Sequence, residues 1–344
     1  MNAIQEKIHV GVIGLGSAGR NHLRGYKSMP NVEVVGISDV NKDRLEAMAR
    51  EFNVERSYTD YRQLLDDPRL QGVTICPPPY LHREIVVAAA EHGVHVHCEK
   101  PMALTLQDCD AMIEACQKKN LILYVSFEPR QLPAFRRVKE LLASGEYGEP
   151  LWLMDRRLLP ATPGVWMPPP WFWKKELGGG LLIENGGHHF DYIRWVMGDV
   201  ETVWAQTATL RFKESMPPYM EGPDIEDIAI VTMHHKNGAM SNLLNTCMVP
   251  CGNLFHLEAA TATHYIALNR SSQLTVEKQG QVIFETEFVH HERVIISVEH
   301  FIECIRQGKT PMNIGEDGRA SLELALAALE SARTQQPVHL PLEI

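Results

Sequence analysis

Lys7-Ile8-His9-Val10-Gly11-Val12-Ile13-Gly14-Leu15-Gly16-Ser17-Ala18-Gly19 decides how this 344-residue chain is read. The apolar run up to Ile13 suits a strand buried on both faces. After the glycines, Ala18, His22, Tyr26 and Met29 recur at helical spacing. A strand, three spaced glycines and a helix make a dinucleotide fingerprint, because glycine permits the tight turn and lets a pyrophosphate approach the N–H groups at a helix amino end. Gly14, Leu15, Gly16, Ser17, Ala18 and Gly19 are therefore candidate cofactor-binding residues. Asp39, twenty residues past Gly19 and just beyond the next apolar run, is placed to accept hydrogen bonds from ribose hydroxyls. A carboxylate there repels a 2′-phosphate, so NAD is favoured over NADP.

Outward from this turn, apolar runs at 32–37, near Tyr58, at 72–76, 94–98 and 121–127 alternate with helical patterns at 41–52, 85–92 and 106–119. Strand and helix in alternation predict a parallel, doubly wound sheet. The pattern changes after Phe127. A helix at 133–144 leads to a strand near Pro150 and a proline- and tryptophan-rich loop at 160–173. Period-two runs follow at 228–234, 239–246, 255–260 and 265–269, with Lys236-Asn237-Gly238 as a hairpin signal. Helices are expected at 298–306 and 316–333. The fold class is α/β: a dinucleotide-binding domain over 1–127, then a second α/β domain over 128–344 built on a large, open, mainly antiparallel sheet.

Composition narrows the partners. The net charge of -10, with no local Lys/Arg cluster, argues against a nucleic-acid surface. The opening residues lack a signal peptide's apolar core, and no apolar run approaches the ~20 residues of a membrane helix. Seven cysteines without framework spacing read as reduced thiols in a cytoplasmic protein. Cys247 and Cys251 lack a second ligand pair at zinc spacing, so no metal site is expected.

Two further segments carry chemistry. Glu99-Lys100-Pro101 closes a strand at the sheet edge where open α/β folds bind ligands. Lys100 is positioned to stabilise an alkoxide, and Glu99 and Lys100 both border the cofactor. In the segment 178–191, Glu184, His188 and Asp191 share one helix face at i, i+4 and i+7. His188 has the side chain suited to proton exchange near neutral pH, Glu184 orients it or meets substrate, and His189, pointing away round the helix, is structural. Gly186 and Gly187 are poor helix formers, which implies that bulk is excluded beside them. Trp166, Trp171 and Trp173 with Phe172 offer either a platform for a sugar ring or packing against a neighbouring subunit.

These blocks, in order, resemble the Gfo/Idh/MocA family: the Gly14–Gly19 turn, Glu99-Lys100-Pro101, the segment 178–191, and a closing block from His300-Phe301 through Gly315-Glu316-Asp317-Gly318 to Pro337-Val338. The resemblance implies an amino-terminal Rossmann domain and a carboxyl-terminal domain whose open sheet serves as an oligomer interface, giving a dimer or tetramer. It also implies that Lys100 and His188 act on a substrate hydroxyl, that Cys76, Pro77, Pro78 and His82 lie along the cofactor, and that Arg130 sits near substrate. The chain departs from the family pattern with Glu184-Asn185 where aspartate and a hydrophobic residue are usual, and with Glu128-Pro129 before Arg130. The expected activity is NAD-dependent oxidation of a hydroxyl on a sugar, cyclitol or sugar-derived polyol. Catalytic residues are Lys100, His188 and Glu184; substrate residues are Arg130, Trp166, Trp173 and Asp191. A redox-neutral NAD-dependent glycosidase or oxidoisomerase is the alternative, with a non-catalytic sugar or nucleotide sensor behind it.

Overall fold

The computed structural model describes residues 7–160, 168–210, 224–249, 254–289 and 293–343. The chain forms two compact units, Met1–Glu128 with His291–Arg319, and Pro129–His290 with Ala320–Ile344.

The first unit holds β1 (Ile8–Ile13), α1 (Ser17–Ser28), β2 (Val32–Ser38), α2 (Lys42–Phe52), β3 (Ser57–Tyr58), α3 (Tyr61–Leu65), β4 (Gly72–Ile75), α4 (His82–Glu91), β5 (His95–Cys98), α5 (Leu106–Lys118) and β6 (Leu123–Val125). Its sheet runs β3-β2-β1-β4-β5-β6 with every neighbouring pair parallel. That is the doubly wound order, and the direction of winding reverses between β1 and β4. Val10, Val12, Val73, Ile75 and Val96 are fully buried, as strands covered on both faces require. Tyr26 of α1 closes its hydroxyl onto Thr74 of β4 at 2.6 Å, so this fully buried ring leaves no unsatisfied oxygen.

The second unit comprises α6 (Pro133–Ala143), β7 (Pro150–Leu158), α7 (Lys175–Gly178), α8 (Leu181–Glu184), α9 (Gly186–Met197), β8 (Val200–Ala208), β9 (Ile228–His235), β10 (Met240–Thr246), β11 (Leu254–Thr261), β12 (Tyr265–Asn269), β13 (Gln273–Lys278) and β14 (Gln281–Glu287). The chain then passes through α10 (Arg293–Gln307) and α11 (Gly315–Thr334) to β15 (Val338–His339). The nine-stranded sheet runs β14-β13-β12-β11-β7-β10-β9-β8-β15 and is antiparallel except where β7 meets β10. Along β9, Ala229, Val231 and Met233 are buried while Ile230 and His234 are exposed, the signature of a sheet covered on one side. The expected hairpin is there: β9 and β10 turn through Gly238 at φ +87°, a left-handed geometry that favours glycine.

The division of the chain departs from the sequence expectation. Residues 291–319 belong to the first unit, not to a continuous second domain. The cause is an apolar face on α10: Val298, Phe301 and Ile302 join Leu23 and Tyr26 in one buried cluster. Gly25 of α1 makes room for it, since a Cβ there would lie 2.7 Å from Val298. Asn313 Nδ2 then donates to the carbonyls of Val125 and Phe127, finishing the buried carboxyl end of β6.

Candidate active site

In the first unit the glycine turn and the turn after β4 touch at the reversal of the sheet. A Cβ on Gly14, whose φ is +83°, would stand 2.6 Å from the nitrogen of Pro77, and one on Gly19 would stand 1.9 Å from the Gly14 carbonyl. These two glycines are needed by the turn itself. Gly16 differs: a Cβ there would meet no heavy atom within 4 Å. It caps α1 without a side-chain hydrogen bond, and the first turn carries no acidic residue. Open space beside unpaired N–H groups fits the pyrophosphate of a dinucleotide. Gly16→Ala is therefore expected to leave the melting temperature unchanged. A methyl pressed into a close backbone–phosphate contact should cost about 1–3 kcal/mol of overpacking, or about 5- to 150-fold in Kd. Fluorescence titration with NADH checks this, and an unaltered Kd would remove Gly16 from the site.

Asp39 is buried and already accepts three donors: the Leu15 N–H at 2.7 Å, the Asn41 N–H at 2.8 Å and Arg44 Nη1 at 3.2 Å. It thus braces the glycine turn against the end of β2. His82, expected along the cofactor, is held against main chain. Its ring is buried, with Nε2 2.8 Å from the Pro77 carbonyl and Nδ1 3.1 Å and 3.2 Å from those of Pro101 and Met102. Burial pushes its pKa down against the pull of those carbonyls. His82 pins the turn after β4 to the segment following Lys100; its polar atoms face main chain.

Around Lys100 the polar groups are closely arranged. Glu99 Oε1 lies 2.6 Å from His22 Nε2 of α1, and Oε2 accepts the Lys100 N–H at 3.1 Å. Burial pushes the Glu99 carboxyl up, but the His22 bond, the nearby Lys100 charge and a bond with Ser126 outweigh it and hold the group below its ordinary range. Glu128, at the end of the same sheet, is driven the other way by burial and by the charge of Glu99, against Arg293, His22 and Lys100. Two carboxyls in one cluster are thus shifted in opposite directions, a pattern found at sites that handle protons. Cys76 Sγ lies within 4.8 Å of the His22 and Glu99 atoms. The 2.6 Å His22–Glu99 separation is a hydrogen bond, shorter than the roughly 3.3 Å between two ligands of one tetrahedral zinc.

In the second unit, Asn185 keeps helical angles (φ −89°, ψ −43°) between α8 and α9. Among residues 181–193, Glu184 and His188 are half-open to solvent and all the others are buried. The i, i+4 pair is therefore the partly accessible part of this stretch, with Nδ1 of His188 itself buried. Glu226 anchors the start of α8 by accepting the Leu182 N–H at 2.7 Å. Its carboxyl is pushed up by burial. Gly180, at φ +96°, lets that carboxylate approach: a Cβ would lie 3.0 Å from it. The bulk excluded at the glycine pair is the protein's own. Gly186 meets Phe190 and Leu182, while Gly187 offers its carbonyl to Ser321 at 2.7 Å. Asn185 has a clear structural reason, since its Oδ1 accepts from Asn245 of β10 at 2.9 Å. His189 is structural, as expected, with Nδ1 2.7 Å from the fully buried Asp155.

Three expectations for substrate residues change. Asp191 does not join the open face: it turns inward and forms a two-point ion pair with Arg130, whose Nε lies at 2.8 Å. Both side chains are almost wholly buried, and the guanidinium sits 5.5 Å above the Trp195 ring. Each charge is thus engaged by the other within the unit. Trp173 is buried among Leu159, Phe172, Leu181, Ile225 and Cys247, so the aromatic cluster is core at that position. Trp166 lies outside the described residues. His22 and Ser126 were missed in the sequence because neither sits in a motif; only the folded sheet brings them to Glu99.

Comparison with known proteins agrees with this fold. Residues 8–127 match the oxidoreductase family with an NAD-binding Rossmann fold, and residues 135–267 match the GFO/IDH/MocA C-terminal domain. The chain is 31% identical over 341 residues to myo-inositol 2-dehydrogenase of Thermotoga maritima, covering 97% of this chain and 98% of that protein. It is 28% identical over 347 residues to scyllo-inositol 2-dehydrogenase (NAD(+)) of Bacillus subtilis, covering 98% and 97%. A levoglucosan dehydrogenase solved in complex with NADH and levoglucosan superposes with a TM-score of 0.90 at 26% identity, over 98% of this chain and 100% of that one. The chain belongs to the GFO/IDH/MocA oxidoreductase family, and its first unit is that family's NAD-binding Rossmann domain.

Proposed function

We propose that this NAD-dependent dehydrogenase oxidises one hydroxyl of a sugar, cyclitol or sugar-derived polyol, with Lys100, His188 and Glu184 as its working side chains. The cofactor is held by the Gly14–Gly19 turn, with Gly16 supplying the close approach and Asp39 the acceptor for the ribose. When bound, NAD takes the hydride from the carbinol carbon. His188 removes the hydroxyl proton, which suits an imidazole at neutral pH. The Lys100 ammonium stabilises the oxygen as negative charge develops on it. Glu184, one turn before His188, orients the imidazole or the substrate. The observation that carries this reading is the opening at Glu184 and His188 alone within an otherwise buried stretch. Myo-inositol, scyllo-inositol and levoglucosan, the compounds in the names of the relatives, support that substrate class.

The test is NADH formation across sugars, inositols, glycosides and aldonates, read beside product chromatography. Net NADH with a cyclitol or sugar is the expected result. Product without NADH accumulation would replace the reading with redox-neutral chemistry, and NADH binding without hydride exchange would replace it with a sensor.

We further propose a cytoplasmic homo-oligomer. The described cysteines are free thiols, and none of the described helices is long and apolar enough to cross a membrane. The uncovered face of the nine-stranded sheet presents Met154, Trp204, Ile230 and Met240, each more than a third exposed. Apolar exposure of that kind marks an interaction surface. Light scattering should give a mass of two or four chains; a monomer at micromolar concentration would refute the assembly.

A further inference from the structure

His22 is a buried titratable residue that the proposed chemistry leaves unused. It lies on α1, the helix that begins at the glycine turn, and its ring is 1% exposed. Nε2 meets Glu99 at 2.6 Å, and with Glu99 ionised this nitrogen must carry the hydrogen of that bond. Nδ1 has no partner among the described residues, so Glu99 is the ring's polar tie. His97 packs edge-on at 4.7 Å and reaches Ser126 Oγ at 2.8 Å. Ser126 in turn bonds to the Glu99 carboxylate. The ring His22–Glu99–Ser126–His97 is closed within the first unit, and His97 and Tyr124 extend it to Ser297 of α10 at 3.4 Å and 2.9 Å. The same carboxylate holds the main-chain N–H of Lys100.

We propose that His22 is a positioning residue: through Glu99 it locks the main chain of Lys100 to the helix that carries the cofactor turn. The inference rests on the role given to Lys100 under Proposed function. A lysine ammonium ends a flexible four-carbon stem, so its placement depends on how firmly its backbone is held. Catalytic groups lose much of their effect when displaced by about an ångström. Protonation of Glu99 would replace an acceptor by a hydroxyl and leave His22 or the Lys100 N–H short of its partner. The charged and titratable groups facing Glu99 include His22 from α1, Cys76 after β4, His82 of α4, Cys98 on β5, Lys100 beside it, and Glu128 after β6, with Arg293 of α10 acting on Glu128. Loss of the His22 donor removes one of the influences favouring ionised Glu99.

The experiment compares His22→Phe, which keeps an aromatic ring but no donor, with His22→Gln, whose amide donates from a similar place. In His22→Phe, kcat should fall about 10- to 100-fold while the NADH Kd stays near that of the wild type. His22→Gln should recover most of the rate. Wild-type kcat in His22→Phe, or no recovery in a folded His22→Gln, would overturn the proposal. Should His22→Phe fail to fold, Glu99→Gln carries the test: its kcat must fall, and a wild-type rate there refutes the coupling. A wild-type enzyme that forms no NADH with any polyol removes the role of Lys100 and this inference with it. An active wild type with an unaffected His22→Phe sinks the coupling alone.

Discussion

Lys100→Met lowers kcat by about 10²- to 10³-fold, the loss expected when one preorganised donor to a developing oxyanion is removed, while the NADH Kd stays near the wild-type value. Methionine keeps an unbranched side chain of similar length but carries no charge. The groups assigned to the cofactor, Gly16 and Asp39, do not depend on the lysine side chain. The Glu99 contacts with the Lys100 N–H and with His22 are main-chain and remote side-chain bonds that the substitution leaves in place. Steady-state kinetics with the substrate found in the panel, paired with fluorescence titration of NADH, separates the two quantities. Full activity would take Lys100 out of the mechanism. A parallel loss of NADH binding would reassign it to the cofactor.

The second large effect is on stability. Replacing Asp191 by alanine strands the Arg130 charge in a nearly closed site, since the two side chains are 1% and 4% exposed. Breaking a buried pair from one side costs about 3–5 kcal/mol, whereas replacing both partners by apolar residues of similar volume is often close to neutral. Arg130→Met combined with Asp191→Leu should therefore recover much of what Asp191→Ala loses, a non-additivity that chemical denaturation can measure. The outcome also judges the correction made above. A substrate contact would raise KM and leave stability intact; a structural pair lowers stability whatever the substrate.

Particular residues show how much was legible before folding. The glycine spacing, the acid at Asp39 and the lysine after β5 were readable because each acts through its immediate neighbours: a turn conformation, a helix start, a strand end. Glu184 and His188 were readable for the same reason, since helical period alone puts them on one side. Asp191 was misread by that same rule. Its position one turn on placed it with the pair, but the charge of Arg130, 61 residues earlier in the chain, drew it inward. Trp173 was read from composition as either a sugar platform or subunit packing, yet it is core because it is buried with Ile225 and Cys247 in one cluster. The resemblance put His82 along the cofactor, and the fold adds that its ring lies within hydrogen-bond distance of the carbonyls of Pro77, Pro101 and Met102, which spacing does not show.

The amino-acid sequence by itself determined the first sheet, the dinucleotide turn, the alternating second sheet and the family, all of which follow from local period and short motifs. Only the tertiary structure decided that residues 291–319 return to the first unit, that His22 reaches Glu99 across 77 positions, and which charged side chains are spent on one another. Backbone preference is set by adjacent residues. The partner of a buried polar atom is set by whatever the folded chain brings within about 3 Å of it, and spacing along the chain carries no record of that.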